Sequence, residues 1–120
     1  MNDPNNTSAP VLTLIDIYQN AALKKDAYAN FPLAFINDHV VRMSVMTEAY
    51  YWHYHPDSDE TFLGVEGILL IELEDRTIEL HAGQLFTIPK NTKHRTLPKG
   101  ERSVNMTFES QNMQTVVSDN

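Results

Sequence analysis

The densest run of reactive side chains in this chain is Tyr51-Trp52-His53-Tyr54-His55, in which one residue separates two histidines. In an extended strand the side chains alternate with a period of two, so both imidazoles fall on one face and can share one ligand. The turn Pro56-Asp57-Ser58-Asp59 follows, and the returning strand opens with Glu60, whose carboxylate a tight hairpin brings within reach of both imidazoles. His94, shortly after Ile88-Pro89-Lys90-Asn91, is the fourth candidate, where one strand ends and the next begins. Three imidazoles and one carboxylate form an N3O set that suits one divalent transition metal, from Fe(II), Mn(II), Ni(II), Co(II) and Zn(II). Four protein donors leave up to two positions of an octahedron open, and open positions separate a catalytic ion from a structural one.

The other two histidines read differently. His39 follows the Asn37-Asp38 turn and His81 closes a strand before Ala82-Gly83, so both are expected to be solvated strand-end residues. Asp57 and Asp59 read as turn residues, and Glu72, Glu74, Asp75 and Glu79 as a solvated hairpin face. Five of the nine bases lie between Lys90 and Arg102, around His94; they either guide an anionic ligand or are ordinary loop charges. Strand parity then assigns candidate substrate-binding walls. Tyr51 shares a face with His53 and His55, Phe62 shares one with Glu60, and Val104, Met106 and Phe108 form one apolar face of the last strand. Tyr51, Phe62, Met106 and Phe108 would line an apolar pocket with few polar anchors, suited to a small-molecule ligand, although Met106 and Phe108 read equally well as plain core. Trp52 and Tyr54 point the other way. Tyr51 is the only inward acid or base in this scheme, and a phenol with its ordinary pKa of about 10 is a weak base.

These residues need strands to position them. From Leu33 onward the chain is rich in β-branched and apolar runs broken by turn signals, which predicts strands over 33–37, 40–48, 51–55, 61–66, 68–74, 77–81, 84–88, 94–97 and 103–109. Many short strands at regular spacing predict an all-β antiparallel sandwich or barrel. Before it, Leu14, Ile17, Tyr18, Ala21, Ala22 and Leu23 recur at helical spacing, so residues 11–32 are expected to hold one short helix ending before Pro32. Residues 1–10 read as a mobile arm, 33–110 as the barrel and 111–120 as a C-terminal tail. Leu63 and Val65 alternate with Phe62 and Gly64, and Ile68-Leu69-Leu70-Ile71 is apolar on both faces, so something must cover the outside, either the 11–30 segment or a second subunit. A homodimer is the expectation.

Composition excludes several classes. A chain of 120 residues suffices for one domain and one site. With 16 acids against 9 bases the net charge is −7, which argues against nucleic acid and against an anionic membrane surface. The absence of cysteine rules out disulfides, thiolate zinc sites, iron–sulfur clusters and a cysteine nucleophile. The polar start MNDPNNTSAP has no signal-peptide pattern and no later segment is apolar enough to span a membrane, so a cytoplasmic location is expected.

The spacing as a whole resembles a known family. His53-x-His55, four residues, Glu60, six residues and Gly67 resemble the first motif of the cupin superfamily. Fifteen residues later Gly83, then five residues, Pro89, and finally His94 resemble its second motif. Thr47, Asn91 and Pro98 depart from the pattern, but Asn91 tolerates the left-handed backbone that glycine would supply. The resemblance, over roughly residues 33–109, implies a small cupin-type double-stranded β-helix, a jelly-roll barrel, with the metal inside. Small cupins of this kind are similar to mannose-6-phosphate isomerases, a label that rests on fold analogy alone. Three functions stay open: a metal-dependent enzyme on a small molecule, with dioxygenase chemistry ahead of isomerisation; a non-catalytic ligand-binding or sensing module; and a structural barrel with an incidental metal.

Overall fold

The computed structural model describes residues 11–118, so the arm expected over residues 1–10 lies outside the described residues. In chain order the elements are α1 (Ile17–Ala22), β1 (Tyr28–Ile36), β2 (His39–Met46), β3 (His53–Tyr54), β4 (Glu60–Glu66), β5 (Leu69–Leu73), β6 (Thr77–Leu80), β7 (Leu85–Ile88), β8 (His94–Pro98), β9 (Ser103–Ser110) and β10 (Val116–Val117). They form two five-stranded antiparallel sheets, ordered β1-β2-β9-β4-β7 and β10-β3-β8-β5-β6. From β2 onward the chain crosses between the sheets at every connection except the β5/β6 hairpin, which is the double-stranded β-helix expected. The hydrophobic centre between the sheets is Met46, Phe62, Leu69, Ile71, Leu80 and Ile88.

Three local features differ from the sequence expectation. First, β1 starts at Tyr28 and runs through Pro32. Proline is tolerated there because β1 is an edge strand, where its missing N–H breaks no ladder bond, and the β1/β2 register shifts between Pro32 and Ala34. Second, α1 has only six residues. Asp16 caps it by accepting the Gln19 N–H at 3.0 Å, and Ile17 and Ala21, with Ile15 just before them, face the protein, whereas Leu14, Tyr18 and Leu23 are exposed. Third, the C-terminal segment contributes a strand: Val116 and Val117 add β10 to β3, with partners Tyr54 and His53.

On the first sheet the outer face is covered by a second apolar cluster. Ala21, Leu33, Met43, Val45, Val65 and Val104 are buried together, with Ile15, Ile17 and Met106 packed on them, so the N-terminal segment covers the outer face of β1, β2, β9 and β4. Burial of that layer frees the inner face of the same strands to carry polar groups. Among the described residues no helix is long and apolar enough to cross a membrane.

Candidate metal centre

His53 sits opposite His94 across the β3/β8 pair, and His55 follows β3 by one residue, so all three histidines come from the second sheet. Glu60, the first residue of β4, reaches them from the first sheet. The turn between is tied down: the Asn91 N–H donates to the His55 carbonyl at 2.8 Å and the Lys90 N–H to Asp59 Oδ1 at 2.9 Å. Asn91 has φ 67, the left-handed conformation expected of it. One potential donor atom from each of His53, His55, Glu60 and His94 lies within 4.8 Å of every other, and all four residues are buried. His39 and His81 are solvated, each beside its own carboxylate, Asp38 at 2.8 Å and Glu79 at 3.1 Å.

The orientation of the rings tests whether a cation fits. Nδ1 of His53 donates to the Tyr51 carbonyl (2.7 Å), Nδ1 of His55 to the Gln114 carbonyl (2.9 Å) and Nδ1 of His94 to the Thr92 carbonyl (2.8 Å). That pattern puts the proton on Nδ1 and leaves the Nε2 lone pair as the free donor, as metal-bound histidines require. Nε2 of His55 and of His94 and Oε1 of Glu60 are buried without a hydrogen-bond partner. The two Nε2 atoms stand 3.2 and 3.5 Å from that oxygen without hydrogen-bond alignment. Buried polar atoms left unpaired cost roughly 1–3 kcal/mol each, so three converging on one point call for a shared partner. Burial, then the neighbouring His94, lowers the His53 pKa to about 4, which keeps it a neutral ligand near pH 7. Burial alone would raise Glu60, but contact with His55 and His94 outweighs it and keeps the carboxylate ionised. An ionised buried carboxylate on which two buried, unpaired imidazole nitrogens converge is a donor set that a divalent cation fits.

The centre opens into a cavity of about 330 Å³ whose wall is more polar than expected. Phe62 lines it, with its ring 6.4 Å from His94. Tyr51, Met106 and Phe108 do not. Tyr51 is 68% exposed, because regular strand begins only at His53 and the period of two does not extend back to residue 51. Its neighbour Tyr50 takes the inward place, 5.0 Å from the His53 ring and stacked on Tyr28 at 5.1 Å. Along β9 the faces are reversed. Met106 pairs with Met43 and packs in the layer under α1, and Phe108, two residues on, shares that face.

The inward row is therefore Asn105, Thr107 and Glu109, joined by Arg42 and Ser44 from β2. Sequence reasoning missed this row, whose signal was its own alternation of polar residues together with an arginine inside the apolar strand β2. It also missed Gln114 and Thr115, which hold His55 from the C-terminal segment. None of the five bases between Lys90 and Arg102 lines the cavity; Arg95, Lys99 and Arg102 pair with Glu72, Glu79 and Glu66.

Comparison with known proteins agrees with this architecture. Residues 39–108 match the Cupin domain family. An uncharacterized Bacillus subtilis protein, YdbB, is 46% identical over 94 residues, spanning 78% of this chain and 82% of its own. A cupin-2 domain protein from Shewanella frigidimarina superposes with TM-score 0.76 at 28% identity, over 82% of this chain and 95% of that one. A structure described as a cupin-superfamily sugar phosphate isomerase from Silicibacter pomeroyi shares the fold, with TM-score 0.65 at 14% identity over 78% and 67% of the two chains. With the barrel, the motif spacing and the matched family in agreement, this chain belongs to the cupin superfamily.

Proposed function

We propose that this protein is a metal-dependent enzyme acting on a small oxygen-bearing molecule, with one divalent transition ion (Fe, Mn, Ni, Co or Zn) on His53, His55, Glu60 and His94. The observation that carries it is the set of three Nδ1-to-carbonyl bonds that leave the Nε2 atoms converging on one ionised carboxylate. When bound, the ion supplies Lewis-acid polarisation of a substrate oxygen and open coordination positions. The residues of the chain do the rest. The carbonyls of Tyr51, Gln114 and Thr92 hold the rings in place, Phe62 and Tyr50 narrow the space beside them, and the β9 row offers hydrogen-bonding groups to the ligand.

Dioxygenase chemistry is favoured over isomerisation as long as the weak base Tyr51 is the only acid or base expected beside the donors. Glu109 in the same cavity removes that ground, so proton-transfer chemistry of the isomerase or lyase kind is better supported by the geometry. Open coordination positions still suit oxygen, which keeps dioxygenation as the second reading. Elemental analysis tests the metal. His53→Ala and His94→Ala should lose most bound metal, whereas His39→Ala and His81→Ala should keep it; equal content in all four sinks the assignment. Oxygen uptake by iron-loaded protein across a substrate panel separates the two chemistries, and a ligand that binds but never reacts points to a binding module instead.

A further inference from the structure

The wall formed by β9 is costly to build without a ligand. Asn105 Nδ2 and Oδ1, Thr107 Oγ1 and Glu109 Oε1 are all buried without a hydrogen-bond partner, on residues that line the cavity. Native proteins leave few such atoms unpaired, so four on one strand face mark groups reserved for a bound molecule. Glu109 is the most unusual of them: its side chain is 2% exposed, and its Oε2 forms an ion pair with Arg42 Nε at 3.2 Å. Arg42 is itself held by Asn30 Oδ1 at 3.3 Å. The arginine thus fixes one carboxylate oxygen; Thr107 lies beside the carboxylate, and Oε1 has no aligned hydrogen-bond partner. Among the described residues Arg42 is the only lysine or arginine lining the cavity, and it is paired with Glu109, so apart from the metal a phosphorylated ligand would find no uncommitted cationic side chain there.

Resting on the metal-dependent reading above, we propose that Glu109 is the proton-transfer residue, with Arg42 as its positioning residue, and that the substrate is an unphosphorylated hydroxycarbonyl compound. In the step the substrate C–H bond next to the carbonyl breaks and its proton forms an O–H bond with Glu109 Oε1. The C–H electron pair becomes a C=C bond and the carbonyl π pair moves onto oxygen. Glu109 then returns the proton to the former carbonyl carbon, the C=C pair forming the new C–H bond, while the hydroxyl on the neighbouring carbon closes to a new C=O and its proton passes to the first oxyanion; this completes an isomerisation with no oxidant required. Asn105 and Thr107, able to donate and accept, match the substrate's hydroxyl groups. Burial, then the charge of Glu60, pushes the Glu109 carboxyl up to about 7, where a group both takes and gives protons near neutrality. The charged and titratable groups acting on it are Arg42 from β2, Glu60 from β4 and His55 beyond β3.

Acetohydroxamic acid tests this, because it presents two chelating oxygens and must lose a proton to bind as the anion. Zinc-loaded protein is titrated with it at pH 8 by calorimetry in two buffers of different ionisation enthalpy, and bound zinc is measured on the same samples. Wild type should hand the released proton to Glu109, so Glu109→Gln should release about one proton more per molecule bound, and Glu109→Asp should restore the wild-type count. Should Glu109→Gln fail to fold, wild type alone decides: in samples whose bound zinc is confirmed, it should release more protons per molecule at pH 6, where Glu109 is mostly protonated, than at pH 8. Zinc-loaded wild type that ignores the hydroxamate, or that matches Glu109→Gln in proton count at every pH, overturns the role of Glu109. Wild type that retains no zinc at pH 8 refutes the metal site itself.

Discussion

Replacing Glu109 with glutamine should change how stability depends on pH, independently of any reaction. The Glu109 carboxyl moves from an ordinary 4.5 to about 7 in the folded protein, first because burial penalises its charge and then because Glu60 repels it. Each pKa unit corresponds to about 1.36 kcal/mol, so the full displacement is worth about 3 kcal/mol. The side chain is 2% exposed, and solvent screening does not discount that figure much. The sign follows from proton counting. Between pH 4.5 and 7 the folded state holds a proton that the unfolded state has released, so stability falls as pH rises through this window and the loss is complete above the folded value. Glutamine has no proton to lose. The stability of Glu109→Gln relative to wild type should therefore rise by about 3 kcal/mol between pH 4 and pH 8. Urea unfolding of chelator-treated proteins measures it, because m values of roughly 1–3 kcal/mol/M turn that difference into a midpoint change of about 1 M or more. Removing the metal keeps metal linkage out of the comparison. Any fixed loss from the unpaired Arg42 cancels between the two pH values. Parallel pH profiles for wild type and variant would refute the electrostatic argument and show that Glu109 titrates as an ordinary carboxyl.

Other perturbations have equally definite expectations. Glu60→Gln removes the only anionic donor, so metal retention against a competing chelator should fall by roughly tenfold or more while the barrel still folds; unchanged retention would mean that Glu60 is no ligand. The His55 pKa is raised: burial lowers it, but contact with Glu60 overrides this, so protons should compete with the metal as pH drops below neutrality, and dialysis at stepped pH should show release. Gly67→Ala places a Cβ 2.3 Å from the Arg102 carbonyl oxygen at φ +66, so the thermal midpoint should fall by at least several degrees. Leu14, Tyr18 and Leu23 face outward from the covering segment, a surface a second copy would bury. Sedimentation velocity at micromolar concentration should show a dimer, and a monomer would leave residues 11–30 as cover alone.

That His53 and His55 share a face was legible in the sequence, because a period of two is local. The hairpin expected to bring Glu60 to them is not formed: β3 and β4 lie in different sheets, so Glu60 meets the imidazoles across the barrel, and His94 joins through its cross-strand pairing with His53. The left-handed Asn91 and the exposed His39 and His81 were equally readable, since each depends only on its immediate neighbours. What alternation cannot decide is which of a strand's two faces looks inward when both are covered. On β9 the apolar side, Met106 and Phe108, was the natural choice for the interior, yet the N-terminal segment packs on that side and turns Asn105, Thr107 and Glu109 into the cavity. Tyr50 replaces Tyr51 because the regular strand starts too late to carry the parity back, and Pro32 lies within a strand only because that strand is at an edge. These outcomes depend on contacts between segments tens of residues apart, so only the tertiary structure decides them. It thereby places an arginine-held glutamate in the same cavity as the donors.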